Sequence, residues 1–173
     1  MSTTHRNLLG YLVLETSHYT RKEFKAYKSL NAYNQMVSGF VQSVRGKLII
    51  LNPTGWLTSD TVHKAQVLLH EENQSIEGFQ RPTLGPVRNF DVVSGEFIQI
   101  LHTGSAHWVC VSNIGCQPFD VNLYDSLYQD VICQEVADQT NDLLGGRLNS
   151  LNYAPVQQQN NGYDCGIFAI AFA

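Results

Sequence analysis

The chain has 173 residues, 43% of them hydrophobic and 15% charged, with a formal net charge of −4. That is enough apolar sequence to bury the core of one domain, and no Lys/Arg run offers a footprint for nucleic acid or anionic lipid. No apolar stretch is long enough to span a bilayer, and Met1-Ser2-Thr3-Thr4 does not open a signal peptide, so a soluble, intracellular monomer is expected.

The four cysteines, Cys110, Cys116, Cys133 and Cys165, are too few for a disulfide framework at this size and read as free thiols. Cys110 and Cys116 have no second close pair to complete a zinc ligand set, and neither a metal nor a cofactor is expected.

Apolar residues recur at helical spacing from Tyr19 to Val44, through Phe24, Tyr27, Leu30, Tyr33, Val37, Phe40 and Val41, which predicts a helix or helix pair. "NPTG" at 52–55 makes a turn. "WLTSDTVHKAQVLLHEEN" follows as a helix, with Thr58 or Ser59 as N-cap and Val62, Ala65, Leu68 and Leu69 on one face. Residues 73–95, with Pro82, Pro86 and their glycines, read as irregular surface loop.

From Glu96 the texture becomes β. "EFIQILH", "HWVCVSN" and "DVNLYD" are short strands, the last two separated by the turn-rich "NIGCQPF". "QDVICQEVADQTNDLL" predicts a helix stopped by Gly145-Gly146. "LNYAPVQQ" is extended, its Pro155 favouring a sheet edge or strand end. Cys165 opens a final apolar helix. The order of elements predicts an α+β fold with a small central sheet.

Within this frame Cys165 attracts attention, because a thiolate is the nucleophilic form of cysteine and a helix N-terminus favours the anion. Gly162 is expected to allow the sharp turn that leads into it. A catalytic cysteine needs a base, and the base an orienting group. Of six histidines, His63 and His70 lie on the amphipathic helix and read as solvated. His102 ends one strand, and His107 begins the next beside Trp108, where a bulky aromatic restrains its rotamer. Asp125 follows the strand "VNLY" and is placed to accept from Nδ1 of His107. The backbone N–H of Cys165 is one donor for an oxyanion. A side-chain amide from Gln157, Gln158 or Gln159 is a second, and composition does not separate the three.

"HW", then "YDS", then "QNNGYDCG" resembles the ordered His, Asp, Gln, Cys signature of the ubiquitin-like-protein cysteine proteases, which include the SUMO proteases and the adenovirus protease. The resemblance implies a papain-like core with a mixed sheet flanked by helices. It implies His107 as base, Asp125 as orienting residue, Gln159 as oxyanion donor and Cys165 as nucleophile. "WLTSDTVHKAQVLL" is similar to the family's Trp-Leu-Asn-Asp helix start, with Ser59 where the family usually carries Asp. That likeness implies Trp56 and Trp108 as the walls of a narrow passage for a Gly-Gly tail, since two flat aromatic faces admit glycine and exclude a Cβ.

The implied organisation is a helical N-terminal segment over 1–49 and a catalytic domain over 50–173. Family members continue past the position of Ala173 with further helix, so the chain reads as a C-terminally truncated member. The expected activity is a cysteine peptidase that cleaves after the Gly-Gly of a ubiquitin-like modifier, its protein partner. The alternatives are an inactive module that grips the modifier and, less favoured, an acyltransferase using the same Cys/His site. No phosphate-cradling loop or basic cluster is present to hold coenzyme A.

Overall fold

The computed structural model describes residues 55–173, and the chain divides between Gly55 and Trp56. The expected helical segment over 1–49 lies outside the described residues, as does all but the last residue of the turn at 52–55.

Helix α1 runs Ser59–Glu72, and Thr58 is its N-cap: the Thr58 hydroxyl accepts from the Thr61 N–H at 3.3 Å. This resolves the choice between Thr58 and Ser59, because the capping oxygen must precede the first turn to meet its free N–H groups. Val62, Ala65 and Leu69 are buried, with Leu68 half-buried at the margin. His63, expected to be solvated, is half-buried, and its Nδ1 is sealed off without a partner. Burial, then the charge of Arg81, lowers its pKa.

Five strands form one sheet in chain order: β1 (Glu77–Gly78), β2 (Phe97–His102), β3 (Trp108–Ser112), β4 (Asp120–Tyr124) and β5 (Ser150–Tyr153). The central three pair antiparallel, while β1 and β5 add to the edges in parallel, which makes the sheet mixed. β2 and β3 are buried on both faces and so read as nearly continuous apolar runs. β4 alternates buried and half-buried positions. One face carries Phe97, Leu101, Val109, Val111, Val121 and Leu123 into a cluster with Val136 and Leu143 of helix α2 (Gln134–Leu143). Helix α3 (Cys165–Phe172) packs on β3 and against α1 on the other side.

Two expectations are corrected. The stretch 73–95 is more than surface loop: it supplies β1, a 3₁₀ turn at Pro82–Leu84, and the buried side chains of Phe79, Phe90 and Val93. Its prolines and glycines masked three apolar anchors that are isolated in sequence. Helix α2 begins at Gln134 rather than at Gln129. Cys133 has extended geometry (φ −59°, ψ 129°), and its carbonyl accepts the first helical N–H groups, from Val136 and Ala137. The helix does stop at Gly145 and Gly146, both at positive φ.

β1 is only two residues long, so β2 needs other partners along its outer edge. Side chains provide them. Gln66 of α1, fully buried, accepts the Ile100 N–H at 2.9 Å and donates to the Gln80 carbonyl at 2.7 Å. Gln99, equally buried, accepts the Gln80 N–H at 2.7 Å and donates to Gln66 at 3.2 Å. This network satisfies backbone groups that would otherwise cost about 1–3 kcal/mol each if left buried and unpaired.

Candidate active site

The hairpin between β2 and β3 aims His107. Thr103 donates its N–H to the His107 carbonyl at 2.9 Å, closing a tight loop in which Gly104 (φ 83°) and Ala106 (φ 55°) take left-handed backbone. Glycine does so without strain; alanine does not. His102 faces Trp108 across the strand pair, ring against ring edge at 4.7 Å, and its Nδ1 accepts from the Gly104 N–H. Burial, then the nearby His107, lowers the His102 pKa. Its role in the hairpin is structural.

His107 and Asp125 meet. The imidazole Nε2 lies 2.7 Å from Asp125 Oδ1, both residues are buried, and the same oxygen accepts the Leu127 N–H at 2.8 Å. The expected contact at Nδ1 is thus corrected to Nε2. The strand end carrying Asp125 approaches the ring from that side, leaving Nδ1 buried without a hydrogen bond. Cys165 lies close enough to this ring to favour its charged form, although no hydrogen bond joins the sulfur to Nδ1. Burial works to lower the His107 pKa, but the Asp125 hydrogen bond and the Cys165 side chain outweigh it and raise it to about 9. The histidine, the aspartate and the cysteine are therefore brought together across 58 positions of sequence, from 107 to 165.

Cys165 is the first residue of α3, and Asp164, preceding it, accepts from the N–H groups of Ile167 and Phe168. Asn161 shapes the approach: its Oδ1 accepts from the N–H groups of Tyr163 and Asp164, and its Nδ2 donates to Asp164 Oδ2 at 2.5 Å. Gly162, expected to allow the sharp turn, has no left-handed backbone and open space where a Cβ would stand. The glycine that packing requires is Gly166. A Cβ there would stand 3.0 Å from three carbons of the Leu57 side chain, so its absence lets α3 close on the chain leading into α1. The cue was the second half of the Cys-Gly pair, whose reason is spatial and not visible in sequence. Cys165 and Cys110 are both buried, and at Cys110 burial pushes the thiol up. Cys110 has no imidazole partner among the described residues.

The three glutamines now separate. Gln157 is exposed. Gln158 spends its amide on structure, donating to the Asp125 carbonyl at 2.9 Å and accepting the Tyr128 N–H at 2.6 Å. Gln159 is buried, pinned by its own N–H to the Ser126 carbonyl at 2.8 Å, with Nε2 donating to the Asn161 carbonyl at 2.6 Å. An amide nitrogen has two hydrogens, so one remains beside the turn that leads to Cys165.

The tryptophans differ from the expected pair of walls. Trp56 is 57% exposed, and its Nε1 donates to the Gly162 carbonyl at 2.7 Å, holding the ring over the loop before Cys165. Trp108 is only 4% exposed, its Nε1 bound to the Leu57 carbonyl at 3.0 Å. Its position at the start of a strand buried on both faces makes it a core residue here, and it presents no open wall.

Among the described residues no cluster of metal-ligating side chains occurs, and no helix is long and apolar enough to cross a membrane. No protein-family model and no curated protein matches the sequence. Among solved structures, the chain is similar to the Xanthomonas campestris effector protein XopD bound to ubiquitin. The identity is 16% and the TM-score 0.52, and the match covers 69% of this chain and 73% of that one. The likeness is one of fold, and it places the chain in the α+β, papain-like class that the sequence led one to expect.

Proposed function

We propose that the chain is a cysteine peptidase of the ubiquitin-like-protease type, cleaving after the C-terminal Gly-Gly of a ubiquitin-like modifier. The observation that carries this is the buried 2.7 Å His107–Asp125 pair, which leaves Nδ1 of the ring free of any other hydrogen bond, with Cys165 near enough to raise the ring's pKa. Cys165 gives its proton to Nδ1 of His107, the ring nitrogen that Asp125 leaves unused. The resulting thiolate attacks the carbonyl carbon of the terminal glycine. Negative charge moves to the carbonyl oxygen, where the Cys165 N–H, unpaired by helix geometry, and the second Gln159 N–H are its donors. Collapse breaks the scissile C–N bond as His107 returns the proton to the leaving amine. A water then hydrolyses the thioester, with His107 again taking and delivering the proton.

The exposed Trp56 ring, tied by its Nε1 to the Gly162 carbonyl in the loop before Cys165, supports a flat aromatic surface over which a glycine-rich substrate main chain passes. The ubiquitin bound to XopD supports a modifier of that type as the partner. The test is covalent capture of ubiquitin and SUMO probes carrying a C-terminal electrophile. Wild-type chain is expected to form an adduct and Cys165→Ala none. Equal labelling of the mutant removes Cys165 from the mechanism. Binding without an adduct by the wild type identifies a modifier-binding module instead.

A further inference from the structure

We infer that Ser126 is a positioning residue that sets the orientation of the Gln159 carboxamide, so that its N–H, and not its oxygen, faces the developing oxyanion. This deepens the peptidase proposal and rests on it. A glutamine side chain is nearly symmetric in shape, and only its hydrogen bonds decide which end is oxygen and which nitrogen. A flipped carboxamide would present a lone pair to a negative charge, turning a stabilising contact into a repulsive one.

Two contacts decide the matter. The Ser126 hydroxyl donates to Gln159 Oε1 at 2.6 Å, in a pair that is buried, with Ser126 only 1% exposed. The Asn161 carbonyl accepts from Nε2 at 2.6 Å. The second partner is main chain and invariant to substitution, whereas the first depends on one hydroxyl. Ser126 also offers its own carbonyl to the Gln159 N–H at 2.8 Å, so the backbone and the side-chain oxygen of Gln159 are both held by the residue that follows Asp125. The residue orienting the base and the residue carrying the oxyanion donor are thereby registered to each other by one peptide unit.

The experiment is steady-state hydrolysis of ubiquitin and SUMO bearing a C-terminal aminocoumarin amide, using the full chain. Wild type, Ser126→Ala, Ser126→Thr, Gln159→Ala and the double Ser126→Ala/Gln159→Ala variant are compared. Gln159→Ala is expected to lower kcat about 100-fold, and Ser126→Ala about tenfold, as befits one hydrogen bond, with KM little changed in both. The double variant should be no slower than Gln159→Ala alone, because Ser126 acts only through the amide it holds. Ser126→Thr, which keeps the hydroxyl, should restore kcat to within about threefold, and it remains informative if Ser126→Ala fails to fold.

Additive losses in the double variant, an unchanged kcat in Ser126→Ala, or a Ser126→Thr as slow as Gln159→Ala would each overturn the positioning role while leaving the peptidase intact. An absence of turnover by the wild-type chain on either substrate would overturn both.

Discussion

Asp125→Asn isolates the charge of the acid from its geometry. Oδ1 of Asp125 accepts from both His107 Nε2 and the Leu127 N–H, and an asparagine oxygen accepts the same two bonds. What disappears is the negative charge beside a buried ring. The rise of the His107 pKa from 6.5 to about 9 corresponds, at about 1.4 kcal/mol per pH unit, to about 3 kcal/mol in favour of the charged imidazole. Asp125 and Cys165 share that effect, so removing the carboxylate should bring the pKa down by about one to two pH units.

If attack requires imidazolium beside thiolate, activity falls on the alkaline side as the ring loses its proton. The wild-type alkaline limb is expected near pH 9 and that of Asp125→Asn near 7–8. The limb is read from kcat/KM against pH on the coumarin amides, and the ring itself from NMR titration of His107. Stability follows the same sign. A histidine whose folded pKa is raised contributes stability that is complete below about 6.5 and is lost as the pH rises through about 9. The wild type should therefore lose its stability advantage over Asp125→Asn across that window. Coincident alkaline limbs for the two proteins would show that the carboxylate does not govern the charge on His107.

Two further substitutions probe the scaffold. Gly166→Ala places a Cβ 3.0 Å from the Leu57 side chain. Overpacking of about 1–3 kcal/mol exceeds the gain of up to about 1 kcal/mol from helix propensity. The melting temperature should fall by a few degrees, and probe capture by Cys165 should slow because the start of α3 is displaced; unchanged melting and capture would mean that Leu57 yields freely. Ala106→Gly relieves a left-handed alanine at φ 55°, a conformation costing about 1 kcal/mol or more. A rise of a few degrees in melting temperature is expected by calorimetry, and a fall would show the strain to be absent.

The local signals were legible wherever chemistry and chain direction coincide. The Thr58 region announced a helix start, Gly145-Gly146 a helix stop, and the β2–β4 strands were visible as short apolar runs. The order His, Asp, Gln, Cys led to residues that the fold gathers, and Gln159 proved to be the one glutamine of three that is buried. What escaped was set by the third dimension. Which imidazole nitrogen meets Asp125 depends on the side from which β4 approaches. Which tryptophan is open depends on Trp108 entering a strand covered on both faces while Trp56 stays at the rim. Phe79, Phe90 and Val93 sit among prolines and glycines without periodicity, so only their packing reveals them as core. Gly166, not Gly162, is the glycine with a tight packing contact, because the steric reason lies in Leu57, more than a hundred positions away.

The glutamine pair beside β2 has a consequence for life in a crowded solution. A sheet border with vacant amide and carbonyl groups invites a strand from another molecule. Here one border is closed by Gln66 and Gln99 where β1 runs out. Glu77 ties back the chain ahead of β2 through the N–H groups of Ser94 and Gly95. The opposite border ends at β5, shortly before Pro155, a residue with no amide hydrogen to offer. At the β2 border, side chains rather than an additional strand thus occupy backbone groups on which self-association could be templated.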